Sequence, residues 1–314
     1  MSKSLNNYAI IASNLTKFYG DLLAVDHVNF RVRRGEIYGF LGPNGAGKTT
    51  TIRMLCGLTR ISYGDAFIFG YDVRRESARV KSIIGVVQDI SNLYMELSCF
   101  DNLMFCAEMY GVPKSERKKR TLELLEFFGL LERREAKFKE LSKGLKRRLV
   151  IAAAMVHRPH VLFLDEPTIG LDVKSKRQIW RLIRELNAKG LTIFLTTHNI
   201  YEAFNLCDRI AIINKGKIIA EGPPAELRKK VGGEKVLEIQ TFPIVKDIKI
   251  FANLRGVVNA RIERGVYHIV VNDIVLALEE ILHVIKRYDL DIVSISLRGA
   301  DAEEVFIKLI GESE

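Results

Sequence analysis

Leu41-Gly42-Pro43-Asn44-Gly45-Ala46-Gly47-Lys48-Thr49-Thr50 is the stretch of this 314-residue chain on which its fold turns. The apolar run Ile37 to Leu41 precedes it and reads as a buried strand; Met54 and Leu55 follow Thr50 at a spacing that suits a helix. The loop therefore joins a strand to a helix start. Gly42, Gly45 and Gly47 can take backbone conformations closed to residues with a Cβ, so successive N–H groups can curl inward around a phosphate. Lys48 adds a point charge, and the free amides of the new helix add a partial positive charge. The Thr49 hydroxyl is placed to ligate a magnesium ion that bridges the outer phosphates. Pro43, Asn44, Ala46 and Thr50 complete the cradle. This is the P-loop pattern, with the strand before and the helix after that it requires.

Length and composition bound the rest. A chain of 314 residues exceeds the usual size of one compact domain, so a large domain with a smaller one is expected. With 48% hydrophobic and 27% charged residues the composition is globular, which argues against disorder. No uninterrupted apolar run approaches the roughly 18 residues needed to cross a bilayer; the longest candidate, Leu149 to Val156, is far shorter. Met1-Ser2-Lys3-Ser4-Leu5-Asn6-Asn7 lacks the apolar core of a signal peptide, so export of the chain is not expected. Cys56, Cys99, Cys106 and Cys207 form no CxxC pair and read as reduced thiols of a cytosolic protein. The formal net charge of +10 is compatible with nucleic acid, an anionic membrane surface or nucleotide phosphates. The one dense cluster, Lys114-Ser115-Glu116-Arg117-Lys118-Lys119-Arg120, reads as a solvated helix face, without aromatic residues interleaved for base stacking.

Outward from the P-loop, Tyr8 to Asn14 and Val28 to Val32 alternate in part and read as strands with one wet face, an antiparallel flank. Ile83 to Val87 is a short apolar strand that stops at Gln88. Ser98 and Asp101 have capping-box spacing ahead of a helix that runs to Gly111, with Asp where Glu or Gln is usual. Helices from about Ser115 to Phe128 and from Ser142 to before Pro159 complete a helical insertion. Val161 to Leu164 and Thr192 to Thr196 return as continuous apolar runs, the mark of strands buried on both faces, and a helix with Trp180 and Leu186 lies between them. Ile210–Ile213 and Lys217–Ala220 flank Asn214-Lys215-Gly216 as a hairpin. A break at Gly222-Pro223-Pro224 places a domain boundary between Gly222 and Lys235. The remainder reads β (236–240), α (245–252), β (258–262), β (267–271), α (273–288), β (292–297), α (302–309); its first six elements follow the ferredoxin-like split βαβ order. The fold class is thus α/β: a mainly parallel P-loop NTPase core with an antiparallel β flank and a helical insertion, plus a small α+β domain over 235–314.

Two adjacent acids in Leu164-Asp165-Glu166-Pro167 end a hydrophobic strand. A magnesium ion beside a P-loop needs a carboxylate, and Asp165 at a strand's carboxyl end is where one would sit. Glu166 is then suited to face the γ-phosphate and to orient or deprotonate the attacking water. Leu141-Ser142-Lys143-Gly144-Leu145 offers a second phosphate-binding helix start, since Ser142 is a good N-cap ahead of free amides.

These motifs, in this order over residues 8 to 225, resemble the nucleotide-binding subunit of an ABC transporter. The resemblance implies an ATP-binding cassette over 1–222 that binds ATP and Mg2+. It implies that Tyr19 stacks on adenine, that Gln88 is the Q-loop glutamine reaching metal and water, that Asp172 belongs to the D-loop, and that His198 is the switch histidine contacting the γ-phosphate. Ser142 and Gly144 then contact the nucleotide of a second ATP-binding subunit, so two ATPs are sandwiched head-to-tail. A homodimer is favoured over a heterodimer. The common family form is Leu-Ser-Gly-Gly-Gln; here Lys143 replaces the first Gly and Leu145 the Gln, a variant similar to drug-, lipid- and polysaccharide-export ATPases. The expected function is ATP hydrolysis powering a separately encoded transmembrane permease, in the export direction, from the cytoplasmic face of the membrane. Helices from Asn92 to Phe128 would receive the permease, and no nucleic acid is involved. The alternative is a soluble ABC-type ATPase acting on ribosome or nucleic acid. Such factors carry two cassettes or long coiled coils, whereas this chain has one P-loop and no sustained heptads.

Overall fold

The computed structural model describes residues 7–88, 93–230, 235–298 and Phe306. The chain divides into two compact units, residues 1–224 and 225–314.

The first unit opens with a hairpin of β1 (Tyr8–Tyr19) and β2 (Leu22–Arg33). Both strands are longer than their sequence alternation indicates. Register shifts between Ala12, Leu15 and Lys17, with positive φ at Asn14 (49°) and His27 (48°), mark bulges that change the phase of the pattern. Next come β3 (Ile37–Leu41), α1 (Lys48–Leu55), β4 (Tyr63–Ile68), β5 (Tyr71–Asp72), α2 (Ser77–Ile83) and β6 (Ile84–Val87). The helical insertion follows as α3 (Cys99–Met109), α4 (Lys114–Phe127) and α5 (Lys143–Ala154). The unit continues with β7 (Val161–Asp165), α6 (Val173–Ala188), β8 (Thr192–Thr197), α7 (Ile200–Leu206), β9 (Arg209–Asn214) and β10 (Lys217–Gly222).

Two sheets enclose the core. The flank is antiparallel in the order β2-β1-β4-β5. The six-stranded sheet has the order β10-β9-β3-β8-β7-β6, parallel from β9 to β6 with β10 antiparallel at the edge. Every residue of β3, β7 and β8 is buried, as expected of continuous apolar strands covered on both faces. Between the sheets Phe30, Tyr38, Phe40, Phe163 and Phe194 pack with ring centroids 5.6–5.7 Å apart. That rigid centre fixes the strand ends from which the site is built.

In the insertion, Ser98 caps α3 by accepting the Asp101 N–H. Asp101 does not complete a capping box; its carboxylate takes the Ser98 hydroxyl at 2.6 Å instead. A shorter acid stays on its neighbour where glutamate spans the turn. On α4 two cations of the basic cluster are paired, Arg117 with Glu108 and Arg120 with Glu116.

After α8 (Pro224–Lys230), which begins at the boundary, the second unit contains β11 (Lys235–Phe242), α9 (Lys249–Ala252), β12 (Val257–Glu263), β13 (Val266–Val271), α10 (Ile274–Arg287) and β14 (Asp291–Arg298). Its sheet order is β12-β13-β11-β14, all antiparallel, the arrangement in which a split βαβ chain folds. Ala277, Ile281 and Ile285 of α10 pack with Leu237, Ile239, Tyr267 and Ile269. The helix expected over 245–252 is confined to Lys249–Ala252. Val245 is instead pinned by Tyr267, whose hydroxyl accepts its N–H at 2.7 Å and donates to its carbonyl at 2.8 Å. The helix expected over 302–309 lies outside the described residues, Phe306 excepted, as does Gly232-Gly233.

Candidate active site

The P-loop takes the shape its glycines permit. Gly45 and Gly47 have φ of 80° and 104°, values that an L side chain resists. A Cβ on Gly47 would also lie 2.6 Å from the Ala24 carbonyl oxygen. Gly47 is the N-cap of α1 without a side-chain cap bond, and the first turn holds no acid, so its amides and partial charge are open to an anion. Lys48 is buried, with Nζ donating to the carbonyls of Gly42 at 2.8 Å and Pro43 at 3.0 Å. Asn44 and Gly45 are exposed at the crest.

Strand order assembles the rest. Since β3, β8, β7 and β6 are parallel neighbours, their carboxyl ends share one edge, the usual ligand edge of such a sheet. Asp165, last in β7 and buried, accepts from the Thr49 hydroxyl at 3.2 Å and the Thr196 hydroxyl at 2.5 Å. Glu166 follows with φ of 48°. One of its carboxylate oxygens is 3.4 Å from Lys48 Nζ, and the other is 2.9 Å from His198 Nδ1. A single carboxylate is thus held between the P-loop lysine and the histidine beyond β8. Thr49 and Asp165 provide hard oxygen donors that touch one another, and this fits magnesium, which takes oxygen ligands and keeps open positions for phosphate and water. Among the described residues no group of His, Cys, Asp and Glu forms a self-sufficient metal site.

Ser142, Gly144 and Asp172 form a separate group. Ser142 caps α5 by accepting the Leu145 N–H at 3.4 Å. Asp172 caps α6, accepting the Ser175 N–H at 2.9 Å and the Ser175 hydroxyl at 2.7 Å. These Ser175 bonds hold its carboxyl below the usual value. A Cβ on Gly144 would lie 2.7 Å from Ser175 Oγ, so the serine links the two motifs. The Gln88 side chain is exposed, and its carbonyl is bound by Arg147. Tyr19 is 44% exposed at the end of β1, the Lys17 ammonium 4.7 Å from its ring centroid. No described contact joins either residue to the Lys48–Glu166–His198 group.

Sequence reading missed several residues of this region. Arg147 is buried and binds four backbone carbonyls. It lies on the face of α5 shared with buried Val150, Ile151 and Ala154, and a charge within an apolar stripe was the available signal. Glu202 of α7 is 1% exposed and takes the Thr168 hydroxyl at 2.8 Å and Trp180 Nε1 at 2.9 Å. Those three residues are far apart in the chain, and no local pattern joins them.

Comparison with known proteins gives consistent results. A family model described as ABC transporter matches residues 25–169. The chain is 35% identical over 311 residues, 96% of its length and 98% of the relative's, to the linearmycin resistance ATP-binding protein LnrL of Bacillus subtilis (strain 168). It is 43% identical over 224 residues, 71% of the chain and 68% of the relative, to the daunorubicin/doxorubicin resistance ATP-binding protein DrrA of Streptomyces peucetius. Among solved structures, cbiO1 from Clostridium perfringens, part of the ABC transporter complex cbiONQ, superposes with a TM-score of 0.66 at 29% identity, covering 72% of this chain and 95% of that one.

Proposed function

The chain belongs to the ABC transporter family as an ATP-binding subunit, and from that premise we propose how its residues divide the work of hydrolysis and coupling. It is an ATPase that powers transport through a separate transmembrane component and works as a dimer. The observation that carries the assignment of roles is the Glu166 carboxylate held between Lys48 and His198, beside the Thr49–Asp165 contact.

Residues 42–50 wrap the phosphates, and Lys48 exchanges Glu166 and the Gly42 and Pro43 carbonyls for phosphate oxygens. Release by Lys48 leaves Glu166 free to accept the proton of the attacking water. His198, on a loop anchored by β8, turns from Glu166 to the γ-phosphate. Thr49 and Asp165, with Gln88, would hold magnesium, which when bound would neutralise charge on the outer phosphates. Tyr19 stacks on adenine. The start of α5 at Ser142 and Gly144, with Asp172 beside it, contacts the nucleotide of the second subunit, an identical chain. No acid stands in the first turn of α5, which supports an anion site there.

The permease meets the apolar surface around Tyr94, Phe105, Met109 and Tyr110, all exposed; Asn92, the expected start of that surface, lies outside the described residues. No described helix is long and apolar enough to cross a membrane, and the proposed location is peripheral, on the cytoplasmic face. The direction is export, and no nucleic acid takes part. Residues 1–222 form the cassette; 235–314 form an accessory domain for subunit contact or regulation. Deletion after Glu221 tests that last role and refutes it if dimerisation, ATPase activity and transport are all unchanged.

The deciding experiment measures mass by light scattering with and without ATP. Glu166→Gln is expected to dimerise with ATP without hydrolysing it, and Ser142→Arg to stay monomeric. A Glu166→Gln protein that hydrolyses ATP at the parental rate refutes the base assignment.

A further inference from the structure

The turn after β7 needs more than its strand to hold it. Glu166 has φ of 48°, a strained conformation for a residue with a Cβ. With that φ, the carbonyls of Asp165, Glu166 and Pro167 are gathered around one guanidinium. Arg147 Nη2 donates to Asp165 O at 2.9 Å and to Glu166 O at 2.7 Å, and Nε donates to Pro167 O at 2.8 Å. Nη1 donates to Gln88 O at 2.8 Å. The side chain is only 9% exposed, and this set occupies four of the five N–H donors of a planar fork. A buried cation is tolerated where oriented carbonyl dipoles replace water.

We propose that Arg147 is a positioning residue for hydrolysis: it holds the backbone of Glu166 and Gln88 in one geometry and ties both to α5, the helix begun by Ser142. The proposal rests on the reading of Glu166 as the base and Ser142 as a contact to the partner's nucleotide. Displacement of α5 when the signature motif engages nucleotide is then felt at the carbonyls of the base and the Q-loop glutamine. Arginine is required for geometry and not only for charge, since a lysine ammonium has three donors on a flexible stem and cannot span four carbonyls in one plane.

The test is steady-state ATPase kinetics with ATP-affinity measurement on the full chain carrying Arg147→Lys or Arg147→Ala, with Glu166→Gln as reference. A misplacement of the base is expected to lower kcat by about a hundredfold while ATP affinity stays within about twofold. Guanidinium or methylguanidinium, at concentrations well below those that unfold the chain, is expected to restore part of the Arg147→Ala rate; urea and ammonium are not. Should Arg147→Ala fail to fold, the kcat-against-affinity split in Arg147→Lys decides. Parental kcat in Arg147→Lys beside an inactive Glu166→Gln overturns this proposal alone. A parallel fall of kcat and ATP affinity with no guanidinium rescue also overturns it, since that is a general folding defect. Parental activity in Glu166→Gln removes the base assignment and this proposal with it.

Discussion

Replacing Glu166 with glutamine is expected to tighten nucleotide binding as well as stop hydrolysis. Lys48 Nζ lies 3.4 Å from the Glu166 carboxylate, both side chains largely buried, so a phosphate that engages Lys48 must compete with that anion. At that distance and an effective dielectric of about 20 the gross attraction is about 5 kcal/mol. Much of it is returned, because the released carboxylate is rehydrated and Lys48 keeps carbonyl partners at Gly42 and Pro43 in either protein. A net difference of about 1 to 2 kcal/mol remains, or about tenfold in affinity. ADP is the probe to use: in the proposed mechanism its β-phosphate would engage Lys48, and it lacks the γ-phosphate that would close the dimer, so trapping would not inflate the result. Calorimetric titration should give a dissociation constant for Glu166→Gln about tenfold below the parental one. Equal or weaker ADP binding would show that the lysine–carboxylate contact does not compete with phosphate, and would refute the reasoning.

Thr168→Val removes one of the two donors to buried Glu202 and is expected to lower stability to urea by about 2 kcal/mol; Trp180→Phe, which removes the other, should combine with it non-additively in a double-mutant cycle. Burial holds the His157 imidazole below its ordinary value of 6.5, so the neutral ring's contribution is complete above that value and lost as pH falls through it towards the folded value. His157→Phe, which keeps a ring against Tyr110 at the 4.1 Å stacking position, should therefore show a shallower loss of stability between about pH 7 and pH 5 in urea titrations. Burial pushes the Cys106 thiol up to about 11; its alkylation, read by mass spectrometry, should be slow at neutral pH, accelerate towards that value, and slow further with the permease added if the proposed contact at Tyr94, Phe105, Met109 and Tyr110 forms. Gly144→Ala must displace the Ser175 hydroxyl from Asp172, and ATP-dependent dimerisation measured by light scattering should weaken.

Much of the cassette was legible because its signals are local. A buried strand, three glycines and a lysine at fixed offsets need only neighbouring residues to take shape, and the apolar stretches Val161–Leu164 in β7 and Ile193–Leu195 in β8 announced strands covered on both faces. Where the pattern was interrupted the reading stopped. β4 went unrecognised: Gly64 and Asp65 break its alternation, and Gly64 has φ of 83° where it crosses Asn14. The bulges at Asn14 and His27 likewise shortened β1 and β2 on paper.

By itself the sequence determined that a glycine-rich turn with its lysine joins strand to helix after Leu41, that acids stand at the end of β7, and that a serine-led helix closes the insertion, because each depends on the spacing of adjacent residues. Tertiary structure alone decided that Glu166 sits between Lys48 and His198, that Ser175 joins Gly144 to Asp172, and that Arg147 gathers four carbonyls. Hydrophobic periodicity specifies which side of a strand is buried but not which strand lies beside it. The order β3-β8-β7-β6 comes from packing the whole sheet, and it brings side chains distant in the chain within hydrogen-bonding reach.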